Sequence, residues 1–278
     1  MPGTETSEET SETGRLAAIY IYPVKSTRRV ALEASAVEPQ GLSKDRRWMV
    51  ADPDGKFMSQ RTAPRLSLIR AAVSSKGLQV QAPGQQDLFV AQPNGAARAS
   101  VEVWGDIILA AEADAEAHEW FSRFLGTECR LVYLDDPASR PVETGYGKPG
   151  DVVSFADSFP ALLISEASLE ALNARLDEPV PMHRFRPNLV VSGVEAFAED
   201  TWDRVRIGEM HFLVAKPCAR CVVTTVDQET GVPGKEPLRT LETFRRGEDG
   251  KVYFGQNLIP LHPGTVRRGD IVQPTLRN

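Results

Sequence analysis

From Leu16 onward the sequence is a succession of short apolar runs separated by Gly, Pro and polar clusters, the pattern of many short strands and few helices. Residues 16–22 make a β-type run that stops at Pro23, a residue with no N–H to give to a ladder. Residues 47–51 and 56–59 flank Asp52-Pro53-Asp54-Gly55; Pro second and Gly fourth predict a turn, and with it a hairpin. Further strands are expected near residues 66–73 and 78–82, then a pair at 88–91 and 100–103. Others are expected at 129–134, 189–192, 204–207, 211–215 and 221–226. Residues 264–269 and 270–272 suggest a closing strand pair.

Three stretches carry a helical period instead. Ala117, Trp120, Phe121, Phe124 and Leu125 recur at helical spacing, and Gly126 offers a C-terminal stop. Ser165 is a candidate cap for a helix running to about residue 176, with Leu169, Leu172 and Leu176 as its apolar stripe. A third spans roughly residues 237–246, with Leu238, Leu241 and Phe244 inward. The predicted class is mixed α+β and β-rich, with barrels and helices packed outside them. The polar, Pro- and Gly-rich stretch 135–151 is the best boundary, dividing residues 15–134 from 135–278. Residues 1–14, acidic and nearly free of apolar groups, read as a disordered tail.

Composition narrows the function classes. With 41% hydrophobic and 25% charged residues the chain is ordinary globular material. Four acids, Glu5, Glu8, Glu9 and Glu12, account for most of the net charge of -6, which leaves no general case for nucleic-acid or membrane binding. No apolar run approaches the roughly 20 residues of a membrane span. The N-terminus has neither the basic region nor the apolar region of a secretory signal. Three cysteines are too few, and odd in number, for a secreted disulfide scaffold; reduced thiols and a cytoplasmic location are expected.

The segment richest in chemistry, residues 216–227, holds Cys218 and Cys221 in a CxxC flanked by Lys216 and Arg220. A thiolate beside cations is a better nucleophile and soft-metal ligand. Zinc wants about four ligands, and Cys129 and the four histidines sit at no ligand spacing. A thioredoxin-like dithiol wants its pair at a helix start, whereas a β-branched run follows here. The plainest reading is that one or both cysteines are small buried apolar residues. Tyr22-Pro23-Val24-Lys25-Ser26 delivers a Lys-Ser pair able to hold a phosphate. Lys44-Asp45-Arg46-Arg47-Trp48 opens a strand whose alternation sends Arg46 and Arg47 to opposite faces. His183-Arg184-Phe185-Arg186-Pro187-Asn188 places two arginines and an Asn at a strand entrance, suited to an anion or a polar ring. A solvated basic loop is the plain alternative for each. Asp227 begins an Asp-x-x-x-Gly stretch that is also turn material.

In this order, YPVKS at 22–26, DRRWMV at 45–50, SEASL at 165–169, FRPN at 185–188, AEDTWD at 198–203, CARCVVTTVDQETG at 218–231 and FGQN at 254–257 resemble the MOSC superfamily. They look most like the branch containing the mitochondrial amidoxime reducing component and its bacterial relatives. The resemblance runs from about Leu16 to Val272. It implies an N-terminal MOSC β-barrel domain followed by a MOSC β-barrel domain with peripheral helices. It further implies a molybdenum cofactor, a molybdenum-pyranopterin dithiolene, with Cys221 as the metal-binding thiolate. Lys25, Ser26, Arg46, Asp157, Ser158, Arg186 and Asn188 fall where the family holds the cofactor, and Ala219 and Arg220 lie beside the ligand. Where comparable reductases carry Tyr after Phe-Gly-Gln, this chain has Asn257.

The implied activity is two-electron reduction of N-hydroxylated compounds: amidoximes, hydroxamic acids, hydroxylamines and N-hydroxylated bases. The rival class is a non-catalytic carrier of cofactor or sulfur. There is no cysteine cluster for iron–sulfur ligation and no Gly-rich dinucleotide motif after a strand. Electrons are therefore expected from a separate ferredoxin- or cytochrome-type protein with its reductase. Arg184 and Arg47 are candidates for a basic rim that would meet it. Deleting residues 1–13 is expected to leave melting temperature and activity unchanged, since the segment has no apolar groups to bury; a large drop in melting temperature would contradict that.

Overall fold

The computed structural model of the chain describes residues 13–277, so residues 1–12 of the expected tail lie outside it. The first part consists of β1 (Gly14–Ile21), β2 (Val30–Leu32), β3 (Ala34–Glu38), β4 (Gly41–Leu42), β5 (Trp48–Ala51), β6 (Arg70–Val73), β7 (Gly77–Gln81), β8 (Leu88–Ala91), β9 (Arg98–Val103), β10 (Asp106–Glu112), α1 (Ala115–Leu125) and β11 (Arg130–Tyr133). The second part adds β12 (Ala161–Ser165), α2 (Glu166–Asn173), β13 (Leu189–Ser192), β14 (Trp202–Ile207), β15 (Met210–Arg220), α3 (Leu238–Glu242), β16 (Val252–Pro260), β17 (Gly264–Arg267) and β18 (Ile271–Leu276).

Seven strands close a barrel in the order β13-β12-β16-β15-β14-β18-β1, with β1 pairing back onto β13 and β2 hung on its far end. The first strand of the chain is thus a stave of a barrel whose other staves come from the second part. Closure removes sheet edges, and the inward side chains, among them Leu16, Ile19, Val205, Trp202 and Phe212, fill the interior. β17 pairs with β3, a second tie between the two parts. The first part's own sheets are β5-β11-β10-β9 and β6-β7-β8. Against them α1 buries Ala117, Trp120, Phe121 and Phe124. Asp114 caps α1 by accepting from the Ala117 N–H, and Gly126 ends it at φ 74. Among the described residues no helix is long and apolar enough to cross a membrane.

The strand-rich class and its few helices are as expected, but several pairings differ. β8 joins β7, not residues 100–103. β9 instead pairs with β10 across the two-residue turn Trp104-Gly105, whose φ values of 55 and 93 suit a tight hairpin. Residues 270–272 do not return on 264–269; they enter β18, which pairs with β14 and β1. The second arm of the hairpin at residues 56–59 is reduced to a bridge between Ala51 and Phe57. Residues 64–68 form a short 3-10 turn before β6, and α3 is shorter than expected.

The expected strand at 221–226 is a 3-10 turn over Val222–Thr225. Its β-branched residues favour a strand by propensity. Here, however, the Thr224 and Thr225 hydroxyls donate back to the Cys221 and Val222 carbonyls, at 2.9 and 2.8 Å, and stabilise the turn.

Gly255 in β16 sits at φ 80, and a Cβ there would lie 2.8 Å from the Leu163 carbonyl and 2.6 Å from Ile164 Cγ1. Gly255→Ala is expected to destabilise the fold by about 2–4 kcal/mol in urea unfolding, from left-handed strain plus overpacking; an unchanged midpoint would contradict this.

Candidate active site

Where the two parts meet, an open cleft is lined by residues from both. Every predicted site residue lies on it. Lys25 and Ser26 follow β1, Arg46 precedes β5, and Asp157 and Ser158 precede β12. Arg186 and Asn188 lead into β13, Ala219 and Arg220 end β15, Cys221 begins the 3-10 turn, and Asn257 lies in β16.

The cleft withdraws cations from water and then provides for them. Two guanidinium groups lie over the Tyr22 ring, Arg46 at 4.5 Å and Arg186 at 4.1 Å from its centre. Burial pushes the Tyr22 phenol up to about 12 despite those cations, and its hydroxyl donates to the Pro187 carbonyl at 3.1 Å. Arg46 donates to Asp45 at 2.5 Å and to Asn188 Oδ1 at 3.0 Å. The Asn188 amide also donates to the Tyr20 carbonyl and accepts from the Leu162 N–H. Asn188 therefore holds β1, β12 and Arg46 together and has little left for a ligand. Arg186, at φ 57, donates to the Thr27 carbonyl at 2.7 Å, while its Nη2 is buried with no partner among the described residues. Burial drags this guanidinium down to about 10.

Lys25, 5% exposed, donates to the Phe155 carbonyl at 2.8 Å and to Asp157 Oδ1 at 2.5 Å. Burial brings its ammonium down to about 8, with Asp157 opposing the shift. The Asp157 side chain is 58% exposed on the cleft wall. Desolvation would raise its carboxyl, but the Lys25 charge and hydrogen bond, then Trp104 and Arg61, hold it well below the usual carboxylate range.

The two thiols are handled separately. Cys221 Sγ accepts from Arg61 Nη2 at 3.0 Å, and Cys218 Sγ accepts from Arg220 Nη1 at 3.0 Å. β15 runs to Arg220, and Cys221 itself is extended at φ -136, ψ -178. Three residues of extended chain put the two Cα atoms on the order of 10 Å apart, beyond the span of a disulfide. Both thiols are free, and this arrangement does not favour a thioredoxin-like dithiol. Among the described residues no three His, Cys, Asp or Glu side chains gather as a metal site, which leaves the zinc reading without ligands. Cys218 packs against the apolar cluster of Phe185, Leu241 and Phe254.

The family models for the MOSC N-terminal beta barrel domain and the MOSC domain match residues 13–128 and 150–273. Mitochondrial amidoxime-reducing component 1 of Xenopus laevis is 34% identical over 98% of this chain and 85% of its own length. The human component 1 is 35% identical over 94% and 83%, and rat component 2 is 36% identical over 94% and 83%. The chain belongs to the MOSC-domain family of the amidoxime-reducing components.

Three charged residues do not play the part expected of them in this MOSC chain. Lys216 does not attend the Cys221 thiol; it pairs with Glu143 at 2.5 Å and lies over Tyr146. Arg184 is no open rim, since it is 13% exposed and pairs with Asp227 at 3.0 Å. Arg47 is spent on the Leu134 carbonyl and the Tyr133 ring. Asp227 itself closes a turn by accepting from the Glu229 and Thr230 N–H groups.

Sequence reasoning missed two residues. Arg61 is the cation at Cys221. Arg140, 1% exposed, donates to the carbonyls of Ser154, Ala156 and Asp157 and pairs with Asp106 at 3.0 Å, fixing the segment that presents Asp157. Neither sits in a patterned stretch, and Arg140 lies in what reads as a linker.

The Lys25 burial gives a pH signature. The folded chain releases this proton near pH 8 and the unfolded chain near 10.5, so between those values the unfolded chain binds more protons and stability rises with pH. The stability of the wild type relative to Lys25→Met should therefore climb from about pH 8 to pH 10 in denaturant titrations; a flat or falling difference would contradict the assignment.

Proposed function

We propose that this chain is an oxidoreductase of N-hydroxylated compounds that holds a molybdenum-pyranopterin dithiolene in the cleft through Cys221. The observation carrying this reading is the Cys221 thiol beside a set of buried cations, of which Arg186 and Arg220 keep unpartnered N–H groups. A single thiolate suits a metal that arrives with sulfur ligands of its own, and the orphan guanidinium N–H groups suit an anionic group. Lys25, Ser26, Arg46 and Arg186 would hold the anionic end. Cys221 would bind the metal, with the Ala219 and Arg220 main chain beside it.

When bound, that group supplies the two-electron chemistry that takes oxygen from the N–O bond: the N-hydroxylated compound plus two electrons and two protons gives the N–H compound and water. The protein's part is to bind and orient. Arg46 and Asn188 fix the strand entrances, Arg140 fixes the segment carrying Asp157, and Arg61 keeps a guanidinium at the thiol. The relatives' printed names speak of amidoxime reduction, which supports the substrate class. Electrons are assigned to a separate ferredoxin- or cytochrome-type carrier, and the free cysteines fit a reducing, cytoplasmic setting.

With protein from a host that makes the cofactor, benzamidoxime should be reduced by dithionite-reduced methyl viologen and not by NADPH alone. Cys221→Ser should abolish turnover with the circular dichroism and melting temperature retained, because a hydroxyl is a poor soft-metal ligand. Cys218→Ser should keep most of the activity. Equal loss in both variants would contradict the choice of Cys221, and molybdenum-loaded wild type without turnover would favour a cofactor or sulfur carrier.

A further inference from the structure

Arg61 is the cleft arginine whose spare donors face the open side: Nη2 of Arg186 and Nε of Arg220 are also unpartnered, but both are buried. Lys25 is committed to Phe155 and Asp157, Arg46 to Asp45 and Asn188, and Arg220 to Cys218 and the Phe185 carbonyl. The side chain of Arg61 is 27% exposed; it gives one hydrogen bond, to Cys221 Sγ, and stands 4.0 Å from Asp157 Oδ2. Its remaining N–H groups make no hydrogen bond among the described residues, so donors are free in the cleft beside the thiol.

Its position is nonetheless built. The preceding Gln60, 1% exposed, exchanges two hydrogen bonds with Gln228, 3% exposed, at 3.1 and 2.9 Å, and also donates to the Ser26 carbonyl at 2.7 Å. That buried amide pair ties the Arg61 loop to the Cys221 segment. On its outer side the guanidinium stacks over Trp104 at 4.8 Å, and Trp104 contacts Phe57 at 5.1 Å. Trp104 is 52% exposed because the tight β9–β10 turn carries it out at the tip.

We propose that Arg61 is a catalytic residue whose free N–H groups receive the N–O oxygen of the substrate beside Cys221, and that Trp104 is the positioning residue that aims it. This rests on the reductase reading above. The donor stabilises the oxygen as negative charge gathers on it while the N–O bond breaks, with the electrons and protons of the balanced reaction already given. Arginine suits the task because it stays protonated and its planar fork keeps donors to spare after one is given to sulfur.

The test uses the cofactor-loaded full chain. Arg61→Met should retain molybdenum content and lower kcat for benzamidoxime by about 100- to 1000-fold, with Arg61→Lys between. Trp104→Ala should lower kcat and Trp104→Phe should restore most of it. A second readout needs no turnover. The other tryptophans, Trp48, Trp120 and Trp202, are 1%, 4% and 2% exposed, so acrylamide quenching reports Trp104. Benzamidoxime should protect Trp104 in protein kept without an electron donor, and Arg61→Met should need about 10-fold more of it or beyond. Wild-type activity matched by Arg61→Met, or lost molybdenum with unchanged turnover per metal, overturns the Arg61 role alone. Wild type that neither reduces benzamidoxime nor is protected by it overturns the reductase reading as well.

Discussion

Positive charge held away from water is the constraint on which this molecule is organised. Lys25 is nearly inaccessible, Arg46 is 12% exposed, and the end of Arg186 is buried. Each would be strongly unfavourable alone. The fold answers with one aromatic ring against two guanidiniums, with Asp45 and Asp157, and with backbone carbonyls turned inward. The carbonyls and donors are aimed by backbone in the left-handed region at Ser26, Lys44, Arg46 and Arg186, none of them glycine. Such strain persists only where surroundings over-determine it, and three of these residues, Ser26, Arg46 and Arg186, line the cleft. What remains unbalanced among the buried cleft donors is Nη2 of Arg186 and Nε of Arg220, and these support the anionic group proposed above.

That arrangement depends on the two parts being interlocked. β1 closes the barrel and then delivers Lys25 and Ser26 to the cleft and Tyr22 to its arginines, so the strand that completes the core also places the cations. The Gln60–Gln228 amide pair and the Arg140 fan do the same for Arg61 and Asp157. Stability and site geometry are thus carried by the same contacts, and loosening either part would open the cleft.

Much of this was legible in the sequence because local chemistry and motif order agree. α1 forms where its apolar spacing and Gly126 place it, and β13 follows its apolar run residue for residue. The residues taken from motif resemblance converge on one cleft although they are spread from Lys25 to Asn257. What stayed hidden has physical causes. The Trp104-Gly105 turn uses a bulky residue at positive φ, against turn preferences. Residues 222–225 obey hydroxyl-to-carbonyl bonding in place of β propensity. Arg61 and Arg140 act through long-range contacts, and single residues in irregular segments carry no period to announce them.

The central claim is that the cleft binds an anionic molybdenum cofactor through its buried cations and one thiol. Metal analysis of protein purified by gel filtration from a cofactor-competent host tests it most directly, comparing wild type with Arg186→Ala and Lys25→Ala. The account predicts near-stoichiometric molybdenum in the wild type and marked depletion in both variants while they stay folded. Wild type free of molybdenum, or full occupancy in both variants, would contradict it.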